Sequence, residues 1–115
     1  MSGYFIKAIL LDGCPYSQSA HQLLKIHHIP SKIITVNQDN KAIYKTENIN
    51  TFPQIYLNKY NSKGSLLLGG NDNLSDFITN FKGRKYSEEN VEKYMKNYNW
   101  SKKAILRLIQ LINVK

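Results

Sequence analysis

The sequence predicts an α/β fold: a four-stranded mixed sheet flanked by helices, with additional helices at the C-terminal end. Three observations carry that expectation. Tyr4-Phe5-Ile6-Lys7-Ala8-Ile9-Leu10-Leu11 is an apolar run with one Lys, the pattern of a buried strand in a parallel or mixed sheet. Helical and extended patterns then alternate up to about residue 82. From residue 88 onward, apolar side chains recur only at helical spacing.

Each element has a local reason. Asp12-Gly13 breaks the first strand, and Pro15 suits the first turn of a helix, where its missing N–H costs nothing. Ala20, Leu23, Leu24 and His27 fall at helical spacing, and Pro30 closes that segment. Lys32-Ile33-Ile34-Thr35-Val36 is a second, β-branched strand. Asn37 to Asp39 offer caps for a short helix containing Ala42, Ile43 and Thr46. Residues 53–58 and 65–68 read as a hairpin across Asn61-Ser62-Lys63-Gly64. Gly69-Gly70 ends the fourth strand, and a helix from about Asn73 to Phe81 follows, with Leu74, Phe77, Ile78 and Phe81 on one face and Gly83 at its end. The order β-α-β-α-β-β-α contains one crossover unit and one hairpin.

Two more helices are predicted. Residues 88–98 place Val91, Tyr94, Met95 and Tyr98 on one face. Ser101 is a good N-cap for the last helix, with Trp100 and Ile105 spaced as a hydrophobic staple. Ile105, Leu108, Ile109 and Ile112 are expected to face the core, and Lys102, Lys103 and Arg107 to face out. The expected division is residues 1–83 and a basic helical extension, 84–115, packed on the same domain through the joint Gly83-Arg84-Lys85.

Composition narrows the function classes. With 42% hydrophobic and 21% charged residues the chain is ordinary globular material. No stretch approaches the ~18 apolar residues of a membrane span. The run before Cys14 lacks a basic leader region and a small-residue cleavage site, so a buried strand explains it better than a signal peptide. The single cysteine, Cys14, excludes an internal disulfide and an all-cysteine metal site within one chain, and fits a reducing compartment. A soluble cytoplasmic protein without a membrane partner is expected. The net charge is +8; residues 1–82 carry eight basic and five acidic side chains, and residues 83–115 carry eight and three. The excess is almost all lysine in an Asn-, Ile- and Tyr-rich chain, so a compositional origin suffices for much of it and nucleic acid is not expected as a partner. The basic tail is a weak hint of an acidic partner or surface.

Cys14 follows a buried strand and opens a helix, so its sulfur is expected beside unpaired N–H groups and the positive end of the helix dipole. That environment favours the thiolate, the nucleophile in disulfide exchange. Gly13 leaves room for in-line approach. Cys14-Pro15-Tyr16-Ser17 is similar to the glutaredoxin active-site motif Cys-Pro-Tyr-Cys, with serine in place of the second cysteine. Thr51-Phe52-Pro53 resembles that superfamily's segment with a cis proline, and Gly69-Gly70-Asn71-Asp72-Asn73-Leu74 resembles its Gly-Gly-x-Asp-Asp-Leu motif. Three motifs in order over residues 4–82 resemble a monothiol glutaredoxin.

The resemblance implies a thioredoxin-like fold and a glutathione-dependent thiol-disulfide oxidoreductase that reduces protein–glutathione mixed disulfides through Cys14. Pro15, Tyr16 and Ser17 support the sulfur; Ser17 cannot resolve a disulfide but can donate a hydrogen bond to the thiolate. Glutathione is implied as co-substrate, held by Tyr16, Thr51, Phe52, Pro53, Gly70, Asn71, Asp72 and Asn73. In that picture the backbone of Asp72 and Asn73 takes the γ-glutamyl carboxylate and their side chains lie near its amine. The family usually has a lysine three residues before the cysteine; here Leu11 stands there, followed by Asp12. Lys41 or Lys45 could replace the lost cation. His21, His27 and His28 are expected to have no catalytic or metal-binding role. Partners implied are glutathione and glutathionylated proteins, acting on a monomer. Two alternatives stand beside this reading: a dimeric [2Fe–2S] carrier using Cys14 and glutathione of each chain, the only case in which Cys14 would bind metal, and a redox-inactive binding module using the basic C-terminal helices.

Overall fold

The apolar run at the head of the chain forms β1 (Tyr4–Leu11), an inner strand of a four-stranded sheet in the order β2-β1-β3-β4. The computed structural model describes residues 3–83 and 87–113; Arg84 and Lys85 of the expected joint lie outside the described residues. β1 runs parallel to β2 (Ser31–Val36), which it reaches through α1 (Pro15–Ile26), and antiparallel to β3 (Gln54–Lys59). β3 pairs antiparallel with β4 (Ser65–Gly69) across the expected hairpin. This is the four-stranded mixed sheet that the sequence predicts, and the thioredoxin-like arrangement that the resemblance implies.

Register decides which side chains share a face, because successive residues of a strand point to opposite sides. Ile6 opposes Leu57 and Ala8 opposes Ile55 on one face. Those residues, with Leu10 and Leu68, join Leu24 of α1 and Leu74, Phe77, Ile78 and Phe81 of α2 (Asn71–Phe81) in one buried cluster. Val91 and Tyr94 of α3 (Glu88–Tyr98) and Ile105, Leu108, Leu111 and Ile112 of α4 (Lys102–Ile112) belong to the same cluster. The other face carries Phe5, Lys7 and Ile9 opposite Asn58, Tyr56 and Gln54. The segment between β2 and β3 crosses it near Gln54, whose Nε2 donates to the Tyr44 carbonyl at 2.9 Å while its Oε1 accepts from the Tyr56 hydroxyl at 3.0 Å. No part of that face belongs to the main core.

Several expectations are corrected by local hydrogen bonding. The short second helix is one 3-10 turn, Lys41–Tyr44, and Ile43 is 80% exposed on it. Asn37 Oδ1 accepts from the N–H groups of Asp39 and Asn40, so the capping side chain closes an Asx-type turn rather than opening a helix. Thr46 lies outside the turn, its Oγ1 accepting from the Asn48 and Ile49 N–H groups. α2 begins at Asn71 rather than Asn73, with Gly70 as its N-cap. On α4, Leu111 is buried although the expected stripe omitted it, and Ile109 is only partly buried. Arg107 lies over the Tyr4 ring at 6.0 Å instead of projecting freely.

The last two helices are tied down by polar clips as well as by burial. Ser87 and Ser101 cap them through Asn90 N–H and Ala104 N–H. Lys82 Nζ donates to the Ile112 carbonyl at 2.6 Å and the His27 carbonyl at 3.4 Å, joining the ends of α1, α2 and α4. Asn113 Nδ2 donates to the Phe81 and Ile109 carbonyls. Tyr94 stands among Phe77, Phe81, Tyr98 and Trp100, with ring centroids 5.2 to 6.0 Å away, and donates its hydroxyl to Asp76 Oδ2 at 2.7 Å. Burial first, and the Asp76 carboxylate second, push its pKa well above the usual tyrosine value. Because α4 shares the core, Leu108→Ala is expected to cost about 2–5 kcal/mol. Urea titration measures it; an unchanged midpoint would mean the last helix lies on the fold without supporting it.

Candidate active site

At the end of β1 the chain turns through two residues into α1. Asp12 N–H donates to the Val36 carbonyl at 2.8 Å and Cys14 N–H to the Leu11 carbonyl at 3.1 Å. Between them Gly13 has φ +79°, and nothing lies near where its side chain would be. A glycine suits this left-handed backbone, and the open space is what an incoming disulfide needs. Cys14 is the N-cap residue, with extended backbone and Pro15 next. Its sulfur therefore meets the first-turn N–H groups of α1.

Ser17 binds the two halves of this junction. It is 2% exposed, and its Oγ accepts the Leu11 N–H at 3.0 Å. Burial pushes the Cys14 thiol up, but hydrogen bonds from the Ser17 backbone N–H, the Ser17 hydroxyl and the Tyr16 N–H outweigh it. The net effect holds Cys14 below the ordinary thiol value.

Opposite the sulfur, the Phe52–Pro53 bond is cis, as the resemblance implied, and Phe52 O lies 4.0 Å from Cys14 Sγ. The start of α2 closes the site from the third side. Gly69, at φ +127°, has no room for a side chain, because a Cβ there would run into Asn73. Tyr16, Thr51, Phe52, Pro53, Gly70, Asn71, Asp72 and Asn73 line a cleft of about 440 Å³. Eight positions spread over 58 residues of sequence thus converge beside Cys14. Tyr16 is 65% exposed at the mouth.

Asn73 Oδ1 accepts from the Gly70 N–H at 3.0 Å, half of a capping box. The Gly70 N–H is thereby taken, leaving the first-turn N–H groups from Asn71 onward as the donors that face outward. Asn71 Oδ1 is buried with no hydrogen-bond partner among the described residues. Lys41 and Lys45 sit at and just after the 3-10 turn and are not among the residues lining the cleft. His21 lines a separate depression of about 160 Å³ with Asp12, Gln18 and Thr35, on the other side of the loop. His27 caps the far end of α1.

Sequence reading missed one supporting residue, Gln54. It is fully buried directly after Pro53 and clamps Tyr44 and Tyr56. A polar amide heading the otherwise apolar Ile55-Tyr56-Leu57 was the available signal.

A single cysteine at a strand-to-helix junction, facing a cis-proline backbone, defines a thioredoxin-like protein of thiol-oxidoreductase type. Residues 4–60 match the glutaredoxin family model, and the chain belongs to the glutaredoxin family. The matched segment spans β1 to β3 and includes Cys14 and Pro53; Gly70 to Asn73 and the last two helices lie beyond it. No curated protein sequence matches the chain. Glutaredoxins generally use glutathione. Cys14 is the only thiol of the chain, and among the described residues no group of three or more His, Cys, Asp or Glu could hold a metal ion. No described helix is long and apolar enough to cross a membrane.

A depressed thiol pKa means more thiolate at neutral pH, so iodoacetamide should alkylate Cys14 with an inflection below that of a free cysteine. Ser17→Ala removes one of the hydrogen bonds and should move the inflection upward. An inflection at the free-thiol value in the parent protein would contradict the assigned environment.

Proposed function

We propose that the protein is a glutathione-dependent oxidoreductase that reduces protein–glutathione mixed disulfides by a monothiol mechanism. The observation that carries this reading is the placement of one depressed-pKa thiol, Cys14, against the Phe52–Pro53 backbone and beside the cleft. Extended backbone at Phe52 can pair with the cysteinyl part of glutathione as an added strand. The start of α2 offers Asp72 and Asn73 N–H groups to the γ-glutamyl carboxylate, favoured by the helix dipole.

In the first step Cys14 thiolate attacks the glutathionyl sulfur of the mixed disulfide. The target sulfur leaves as a thiolate and takes a proton, and Cys14 becomes glutathionylated. A second glutathione, as thiolate, attacks the glutathionyl sulfur on Cys14, so oxidised glutathione leaves and Cys14 thiolate returns. Overall one glutathione thiol is consumed and one target thiol is released: the glutathionyl sulfur stays in a disulfide throughout, bonded first to the target, then to Cys14 and finally to the second glutathione. Ser17 has no thiol to intercept the intermediate, so the cycle waits on external glutathione. Protein targets in the reducing cytoplasm are the proposed substrates, and the monomer is the proposed working form. Leu11 in place of the family's lysine removes one cation from the glycyl end of the ligand, which favours weaker binding of glutathione.

Cys14→Ser should abolish glutathione-linked reduction of a glutathionylated peptide. Ser17→Ala should retain turnover, with a lower rate near neutral pH that recovers as pH rises. Undiminished activity in Cys14→Ser would overturn the mechanism.

A further inference from the structure

We propose that the open half of the sheet's second face binds single-stranded nucleic acid. Register brings Phe5 and Lys7 of β1, Lys32 of β2 and Tyr56 of β3 to this face, with Leu67 of β4 beside Tyr56. Tyr60, directly after β3, is 51% exposed and pairs with Phe5 at a centroid distance of 4.7 Å. Lys7 Nζ lies 4.9 Å over the Tyr56 ring. The four strands contain no Asp or Glu. The segment between β2 and β3, reduced to one 3-10 turn, crosses the face at Gln54 and leaves this end without a helix.

The chemistry favours nucleic acid over a protein partner. A protein-binding patch is depleted in lysine at its centre, whereas here Lys7 occupies the middle of the aromatic patch. Aromatic rings interleaved with cations on a flat sheet suit unpaired bases and their phosphates, which stack without regard to sequence. Bases held in a duplex cannot lie on such a platform, so the ligand is single-stranded. Asn58, on this face opposite Phe5, is 9% exposed and supports the platform from beneath. The net charge of +8 strengthens attraction to a polyanion. Composition alone argued against nucleic acid; the register, which gathers these residues, is what changes the reading. Phe5 and Lys7 lie toward the opposite end of β1 from Cys14, so the platform is separate from the thiol site.

The test is fluorescence anisotropy of a labelled ten-nucleotide oligothymidylate titrated with the full chain at low salt. Saturable binding is expected, weakening as salt rises. Tyr60→Ala should lower affinity about tenfold by removing one stacking surface. Lys7→Gln should reduce the slope of log K against log salt by about 0.7, the contribution of one phosphate on a single strand. Both variants should keep the parent rate of Cys14 alkylation, which reports an intact fold. Lys103→Gln, on α4, should leave binding unchanged. Absence of saturable binding would overturn the proposal. So would binding that Tyr60→Ala leaves intact and Lys103→Gln weakens, or a self-association of the chain that Tyr60→Ala dissolves without any oligonucleotide bound.

Discussion

The Ser17 hydroxyl accepts the Leu11 N–H and, in the same buried position, contributes to holding the Cys14 sulfur as thiolate. It joins the end of β1 to the first turn of α1. If strand and helix were free to shift against each other, the sulfur would lose its place over the Tyr16 and Ser17 N–H groups and opposite the Phe52 carbonyl. Leaving a fully buried donor unpaired costs about 1–3 kcal/mol, and the part-buried Leu11 N–H would lose a share of that. Stability and thiol chemistry thus meet at one oxygen atom. This explains how a serine in the fourth motif position can be useful without being a second thiol.

Around that junction the fold is lopsided. One sheet face carries α1, α2, α3 and α4 in a continuous apolar cluster, and the other is crossed by a single short turn. The C-terminal helices therefore do structural work for the site: they cover Phe77 and Phe81 of α2, the helix whose first turn forms one wall of the cleft. Lys82 and Asn113 fix the ends of these helices through backbone carbonyls, so the clips do not depend on surface ion pairs. The thinner face leaves Tyr60 exposed and Phe5, Lys7 and Tyr56 half-buried on a rigid support.

Much of this was legible in the sequence because the signals were local. Asp12-Gly13 marked the turn, Pro15 the helix start, and Ser101 with Trp100 the entry to α4. Seven apolar residues in a run of eight announced β1. The motif residues line one cleft, because loops anchored on rigid strands and helices converge at one end of the sheet. What failed was set by competition among polar groups. Asn37 satisfied a turn rather than a cap, so the expected second helix is one 3-10 turn. Gln54 and the grouping of Phe5, Lys7 and Tyr56 depend on strand register, which hydrophobic patterning does not record.

The central claim is that one thiol, in this setting, exchanges with glutathione and stops there. Intact mass of the purified protein after incubation with oxidised glutathione at neutral pH tests it most directly. The account predicts one glutathionyl group per chain, located at Cys14 by peptide mapping and removed completely by reduced glutathione. No adduct at neutral pH, or an adduct that reduced glutathione does not reverse, would contradict it.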